Sequence, residues 1–194
     1  MGFPRTRDRA LEHLSTSNRT MTQSTSFFEQ LLRSQYPHLL PALASAGWTA
    51  DHETDLPDEE DTLGFVLHDL AEQFLRKFSN IKLRAPNKSN PALTNQVWLG
   101  IHEPLGRMDP AHSSYYVHTI AETSFVFPVC TTGNSVGFLL EDGRLLSIDE
   151  TWRGCSWSRD VFAFTHWRLF SERLPGTTTR PLTHAERPVE YRWD

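Results

Sequence analysis

The chain has 194 residues, a formal net charge of −5, 38 % hydrophobic residues and 22 % charged ones. That length suits one ordinary domain with extensions and is short for two, and the composition excludes general disorder. No apolar run approaches the roughly 20 residues needed to cross a bilayer, and no apolar stretch of secretory type opens the chain, so the expectation is a soluble cytoplasmic protein.

Residues 1–24 are rich in Arg, Ser and Thr without apolar periodicity and predict a disordered leader. They hold Arg5, Arg7, Arg9 and Arg19 against Asp8 and Glu12, so the rest of the chain is more acidic than the total implies. An acidic field repels nucleic acid and favours a basic protein partner, although the same charge also serves solubility alone. Ser26 is placed to cap a helix with Phe27, Phe28, Leu31 and Leu32 on its apolar face, ended by Pro37. A second turn through Leu39, Leu40 and Leu43 closes at Gly47, and Trp48 can pack back on it. From Asp51 to Asp61 seven residues are acidic. They lack the glycine and the ligand offsets of a calcium loop, so a solvated linker is expected and no metal.

Leu67, Leu70, Ala71, Phe74, Leu75 and Phe78 recur at helical spacing, with Asp61 or Thr62 as the cap and His68 on the polar face. Ser79-Asn80 break this helix before a strand at Ile81–Leu83, and Val97–Ile101 forms the next strand after a polar loop. Asp109-Pro110 opens a helix through Tyr115, Tyr116, Val117 and Ile120. His112 and His118 stand six apart, on opposite sides of that helix, and so do not form a metal pair.

The stretch from Phe125 to Ile148 holds three short apolar runs, Phe125–Val129, Val136–Leu140 and Leu145–Ile148, cut by Gly133-Asn134 and Asp142-Gly143. These are antiparallel strands joined by tight turns. Ser158 can cap a last helix with Val161, Phe162, Thr165, Leu169 and Phe170 on its buried side and Trp167 at its margin. Residues 175–194 carry three prolines and no periodicity, and predict an irregular tail outside the core. The expected architecture is therefore α+β: one domain over 25–174 with a mixed or antiparallel sheet of about five or six strands and helices packed on one side of it. Cys130 and Cys155 give neither a disulfide framework nor zinc spacing, and reduced buried thiols are expected.

Taken in order, four segments carry a family likeness: Ala46-Gly47-Trp48, Phe74-Leu75-Arg76-Lys77-Phe78-Ser79-Asn80-Ile81, Pro128-Val129-Cys130, and Gly143-Arg144-Leu145-Leu146-Ser147-Ile148-Asp149. Across about residues 38–172 the chain resembles the SUKH superfamily, and more narrowly its third subgroup. There a Gly-Gly pair stands where this chain has Ser79-Asn80, and a glycine stands in place of Cys130. Asn80 can still supply the left-handed turn. The resemblance implies a SUKH-like fold, no enzymatic activity and no cofactor. It also implies a role in binding proteins: most members are immunity proteins that neutralise a cognate toxin, and others are intracellular scaffolds.

Under that reading a toxin domain, basic by charge complementarity, such as a nuclease, is the partner, with neither nucleic acid nor membrane involved. The partner-binding candidates are Asp149, Glu150, Trp152 and Trp157, because tryptophan anchors beside acids dominate interface energies. The alternative for both tryptophans is the core, and burial decides between the two. An intracellular signalling or assembly scaffold is a second function with the same fold. A third is a hydrolase built on Cys155 with His166 and Asp160, which requires a thiol and an imidazole in hydrogen-bond contact and a depressed thiol pKa.

Overall fold

The computed structural model describes residues 26–56, 62, 64–101 and 110–192. The expected leader, the acids Asp58–Asp61, the turn at Glu103–Gly106 and the His112 side chain lie outside the described residues.

Helix α1 spans Phe27–Gln35, and Ser26 caps it as the sequence predicts, its Oγ accepting from Glu29 N at 3.2 Å. Phe28 and Leu32 are buried, whereas Phe27 stays exposed at the helix start. A 3-10 turn at Pro37–Leu39 leads into α2, Leu40–Ser45. Gly47 takes the left-handed conformation (φ +89°) that lets Trp48 N reach back to Leu43 O and Gly47 N to Ala44 O, both at 3.0 Å. This paired closure satisfies the last carbonyls of α2. It also turns Trp48 inward, where its ring stacks on Phe78 at 5.5 Å and its Nε1 donates to Lys77 O at 2.8 Å.

Helix α3 covers Asp69–Phe78 and buries Ala71, Phe74, Leu75 and Phe78, the expected face. It begins later than the periodicity implied, and its cap is neither Asp61 nor Thr62 but His68. His68 Nδ1 accepts from Ala71 N at 3.3 Å while Nε2 bonds Leu139 O at 3.1 Å, so this histidine is buried rather than on a polar face. A ring bonded at both nitrogens can be buried at little cost, which helical spacing alone does not reveal. Asn80 follows with φ +63°, the left-handed turn anticipated there.

The sheet is an antiparallel meander in sequence order: β1 (Ile81–Pro86), β2 (Thr94–Leu99), β3 (Val126–Thr132), β4 (Ser135–Leu140), β5 (Leu145–Asp149), β6 (Gly154–Ser158) and β7 (Thr178–Pro181). The class is α+β as expected, with seven strands where five or six were counted. The register slips between Pro128 and Cys130, an irregularity that falls where proline has no amide hydrogen to pair. Helix α4 (Pro110–Ala121) precedes β3 and α5 (Val161–Phe170) follows β6.

The helices occupy both faces, which corrects the one-sided packing expected. On one face Phe162 of α5 meets Phe28, Phe78 and Tyr36, with ring centroids 5.2–6.2 Å apart. On the other, Phe138 of β4 meets Phe65 at 5.6 Å, and Phe65 in turn meets His118 of α4 at 5.7 Å. The reason lies in β3 and β4, where every residue is buried. A strand apolar on both sides needs cover on both sides.

The C-terminal residues also differ from the irregular tail expected outside the core. β7 pairs with β6 through Cys155↔Arg180 and Ser156↔Thr179, and Leu182 joins the core at 2 % exposure. Pro181 is tolerated because β7 is an edge strand. A capping box between Thr183 and Glu186, with Arg180 paired to Glu186, fixes the segment beyond it. No helix among the described residues is long and apolar enough to cross a membrane.

Candidate functional site

Four segments meet at one end of the sheet: the start of β2, the β3–β4 turn at Gly133-Asn134, the β5–β6 turn at 150–153, and the last turn of α5. Register places Ser135 opposite Asp149, and Glu150 N donates to Asn134 O at 3.0 Å, so the two turns are tied together. Asn95 Nδ2 donates to Leu169 O at 2.9 Å and to Ser171 Oγ at 3.1 Å, which fixes β2 to the end of α5. Between them opens a polar cleft of about 390 Å³.

Arg168 forms one wall of that cleft. Its Nη2 donates to Thr132 Oγ1 at 3.0 Å and to Asn134 Oδ1 at 2.9 Å, and its guanidinium lies 5.3 Å from the Trp167 ring. Burial lowers its pKa, a sign that the charge is held away from water. Arg173 approaches the same ring at 4.8 Å, so Trp167 sits between two cations. Sequence reading placed Trp167 only at a helix margin and did not single out Arg168. The available signal was a single arginine in a helix whose other described side chains are almost all apolar or buried.

The four predicted partner-binding residues do not form one patch. Asp149 spends its carboxylate inside its own turn: Oδ1 accepts from Thr151 N at 3.0 Å, Arg153 N at 3.2 Å and the Thr151 hydroxyl, and Oδ2 from Gly154 N. Glu150 is exposed beside it. Trp152 is 5 % exposed and packs on Tyr116 and Tyr191 with ring centroids at 6.0 and 6.4 Å, so it lacks the exposure an anchor needs. The C-terminal segment supplies Tyr191, a cover that the lack of apolar periodicity in residues 175–194 does not announce. Trp157 is half-buried at the opposite end of β6, its ring under Arg144 at 5.2 Å.

The residues of the hydrolase hypothesis are each engaged elsewhere. Burial raises the Cys155 pKa, the opposite of nucleophile activation. His166 Nδ1 pairs with His38 Nε2 at 2.6 Å, and burial, then the charge of His38, lower its pKa. Asp160 caps α5, its Oδ1 accepting from Phe162 N and Ala163 N at 2.9 and 2.8 Å, while Oδ2 accepts from the Tyr36 hydroxyl at 2.7 Å. Both cysteines are free and buried, and burial pushes the Cys130 thiol up to about 12. Among the described residues no three His, Cys, Asp or Glu side chains converge as metal ligands. No family model, no curated protein and no solved structure matches the chain.

Proposed function

We propose that this chain is a non-enzymatic, cytoplasmic protein-binding module of SUKH type that neutralises a cognate toxin by covering it. The observation that carries this reading is the end of the sheet. It presents two turns, one braced by the Asp149 carboxylate and the other tied to it through Glu150 N on Asn134 O, an exposed Glu150 and an open polar cleft. A preorganised surface of this sort favours binding, because little conformational freedom remains to be lost on association. The net charge of −5 favours a basic target, such as a nuclease domain, by accelerating encounter.

The test is to identify the genes that adjoin this one in its native genome and to co-express it with any whose product arrests growth. The proposal expects growth rescue, a stable complex of the two purified proteins, and equal rescue by Cys155→Ala. Absence of both rescue and complex refutes it. Hydrolysis of a peptide, ester or nucleic acid by the pure protein, lost in Cys155→Ala, transfers the function to an enzyme.

A further inference from the structure

Among the described residues, the start of β2 is a strand edge without a neighbour on its β3 side. β1 pairs with β2 along its whole length, from Pro86↔Thr94 to Ile81↔Leu99, but β3 pairs only with Val97–Leu99. Residues Thr94–Gln96 therefore have β1 on one side and the cleft on the other. Three residues of strand measure about 10 Å, enough for two or three backbone hydrogen bonds with an added strand.

Arg168 lies at the same opening, and among the described residues its charge has no anionic partner. Its two hydrogen bonds both leave from Nη2 and both end on neutral oxygens, Thr132 Oγ1 and Asn134 Oδ1. No carboxylate among the described residues forms a salt bridge with it, and Nε and Nη1 have no acceptor there. Guanidinium groups withdrawn from water are ordinarily paired with an anion, since an unpaired one is costly. A free strand edge and an uncompensated cation on one cleft define a ligand with a backbone and a negative charge.

We propose that the cleft docks an extended peptide segment of a partner protein, which adds a short strand along Thr94–Gln96 and places a carboxylate on Arg168. This rests on the protein-binding reading above and names the chemistry of the contact. The carboxylate comes from an Asp or Glu side chain or from a chain terminus. A partner that is basic overall still supplies it locally, because Arg168 reads one group rather than the net charge. The flanking Trp167 ring and the Asn134 amide give the segment an apolar wall and a further polar contact.

The experiment presents the full chain with an array of random octapeptides carrying free C-termini. Bound sequences are then resynthesised with Asp→Asn or Glu→Gln changes and, separately, with an amidated terminus. The expected result is selection of peptides with a carboxylate at a fixed position, and about tenfold or greater weakening when that group is neutralised. Loss on side-chain neutralisation assigns the carboxylate to Asp or Glu, and loss on amidation assigns it to the terminus. Arg168→Gln abolishes selection while Arg168→Lys retains part of it, and the peptide comparison needs neither variant to fold. No selection, or selection indifferent to both neutralisations, overturns the proposal. Toxin neutralisation separates the two levels: rescue that survives Arg168→Gln in a folded protein refutes this contact and leaves the protein-binding reading standing.

Discussion

Gly137 and Cys130 are direct register partners on β4 and β3, and together they allow a sharp test of the central packing. A Cβ built on Gly137 would overlap Cys130 Sγ, and it would also stand 3.3 Å from Leu145 Cδ2. Cys130 is fully buried, so the sulfur has no open space into which to move. Gly137→Ala should therefore destabilise the protein by about 1–3 kcal/mol, the usual cost of overpacking a core. Cys130→Ala alone leaves a small void and should cost about 1 kcal/mol. In the double variant the new methyl enters the space that the sulfur vacates, and alanine disfavours a strand less than glycine does. The double variant should accordingly be more stable than the sum of the single effects by about 1 kcal/mol or more. Urea unfolding midpoints measured with a constant m-value decide the matter. Additivity to within about 0.5 kcal/mol would refute the packing, because it would mean that the sulfur does not occupy the space facing Gly137.

Three further predictions follow from named contacts. Phe74→Ala should cost about 3–5 kcal/mol, since Phe74 is fully buried between Phe28 and Phe78; a loss under about 1 kcal/mol would show that α3 presents a different face to the core. The hydrogen bonds from Arg180, and after them those from Thr183, hold the Glu186 carboxyl at about 2 against an ordinary 4.5. Its contribution is therefore fully present above about pH 4.5 and lost as pH falls toward 2, so the stability gap between parent and Glu186→Gln should close over that window. A gap unchanged at pH 2.5 would refute the pairing. His166 is depressed below its ordinary 6.5 by burial, then by His38, with Lys88 adding to the effect and Glu172 opposing it. The unfolded chain then binds the proton more tightly, so stability should fall as pH drops below about 6.5, and His166→Gln should flatten that slope in thermal melts between pH 7.5 and 5.5. An identical slope in the variant would show that His166 is not its source.

How far the fold was legible depends on whether the signal was local. Ser26 capping α1, the Gly47-Trp48 closure and the left-handed Asn80 all follow from the conformational preference of one residue in its immediate context, and all three occur in the structure. The strands from Val126 to Ile148 were legible because tight turns and continuous apolar runs sit next to one another in sequence. His68 was misread because its burial depends on Leu139 O, 71 positions away, and no periodicity encodes that acceptor. β6 and β7 were missed because Gly154-Cys155-Ser156 and the threonine run before Pro181 have weak strand character on their own. Each strand exists through pairing with its neighbour, and Leu182 anchors the pair in the core.

The site was less legible than the fold, and the reason is physical. Sequence reasoning sought tryptophans beside acids, which identifies groups able to bind but not whether the chain has already used them. Trp152 is consumed by Tyr116 and Tyr191, and Asp149 by the amides of its own turn. What marks a free recognition group is the reverse, a costly group whose natural counterpart is absent. Among the described residues Arg168 meets that description: its α5 neighbours are committed to packing, its hydrogen bonds end on neutral oxygens, and it faces a strand edge that β3 leaves open. None of those facts is a property of one residue, since each depends on where β3 stops pairing relative to β2. The register of a single pair, Val97↔Thr132, therefore does more to define the candidate site than any motif in the chain. Were that pairing to continue for three more residues, a strand would close the cleft and bury Arg168 without an anion.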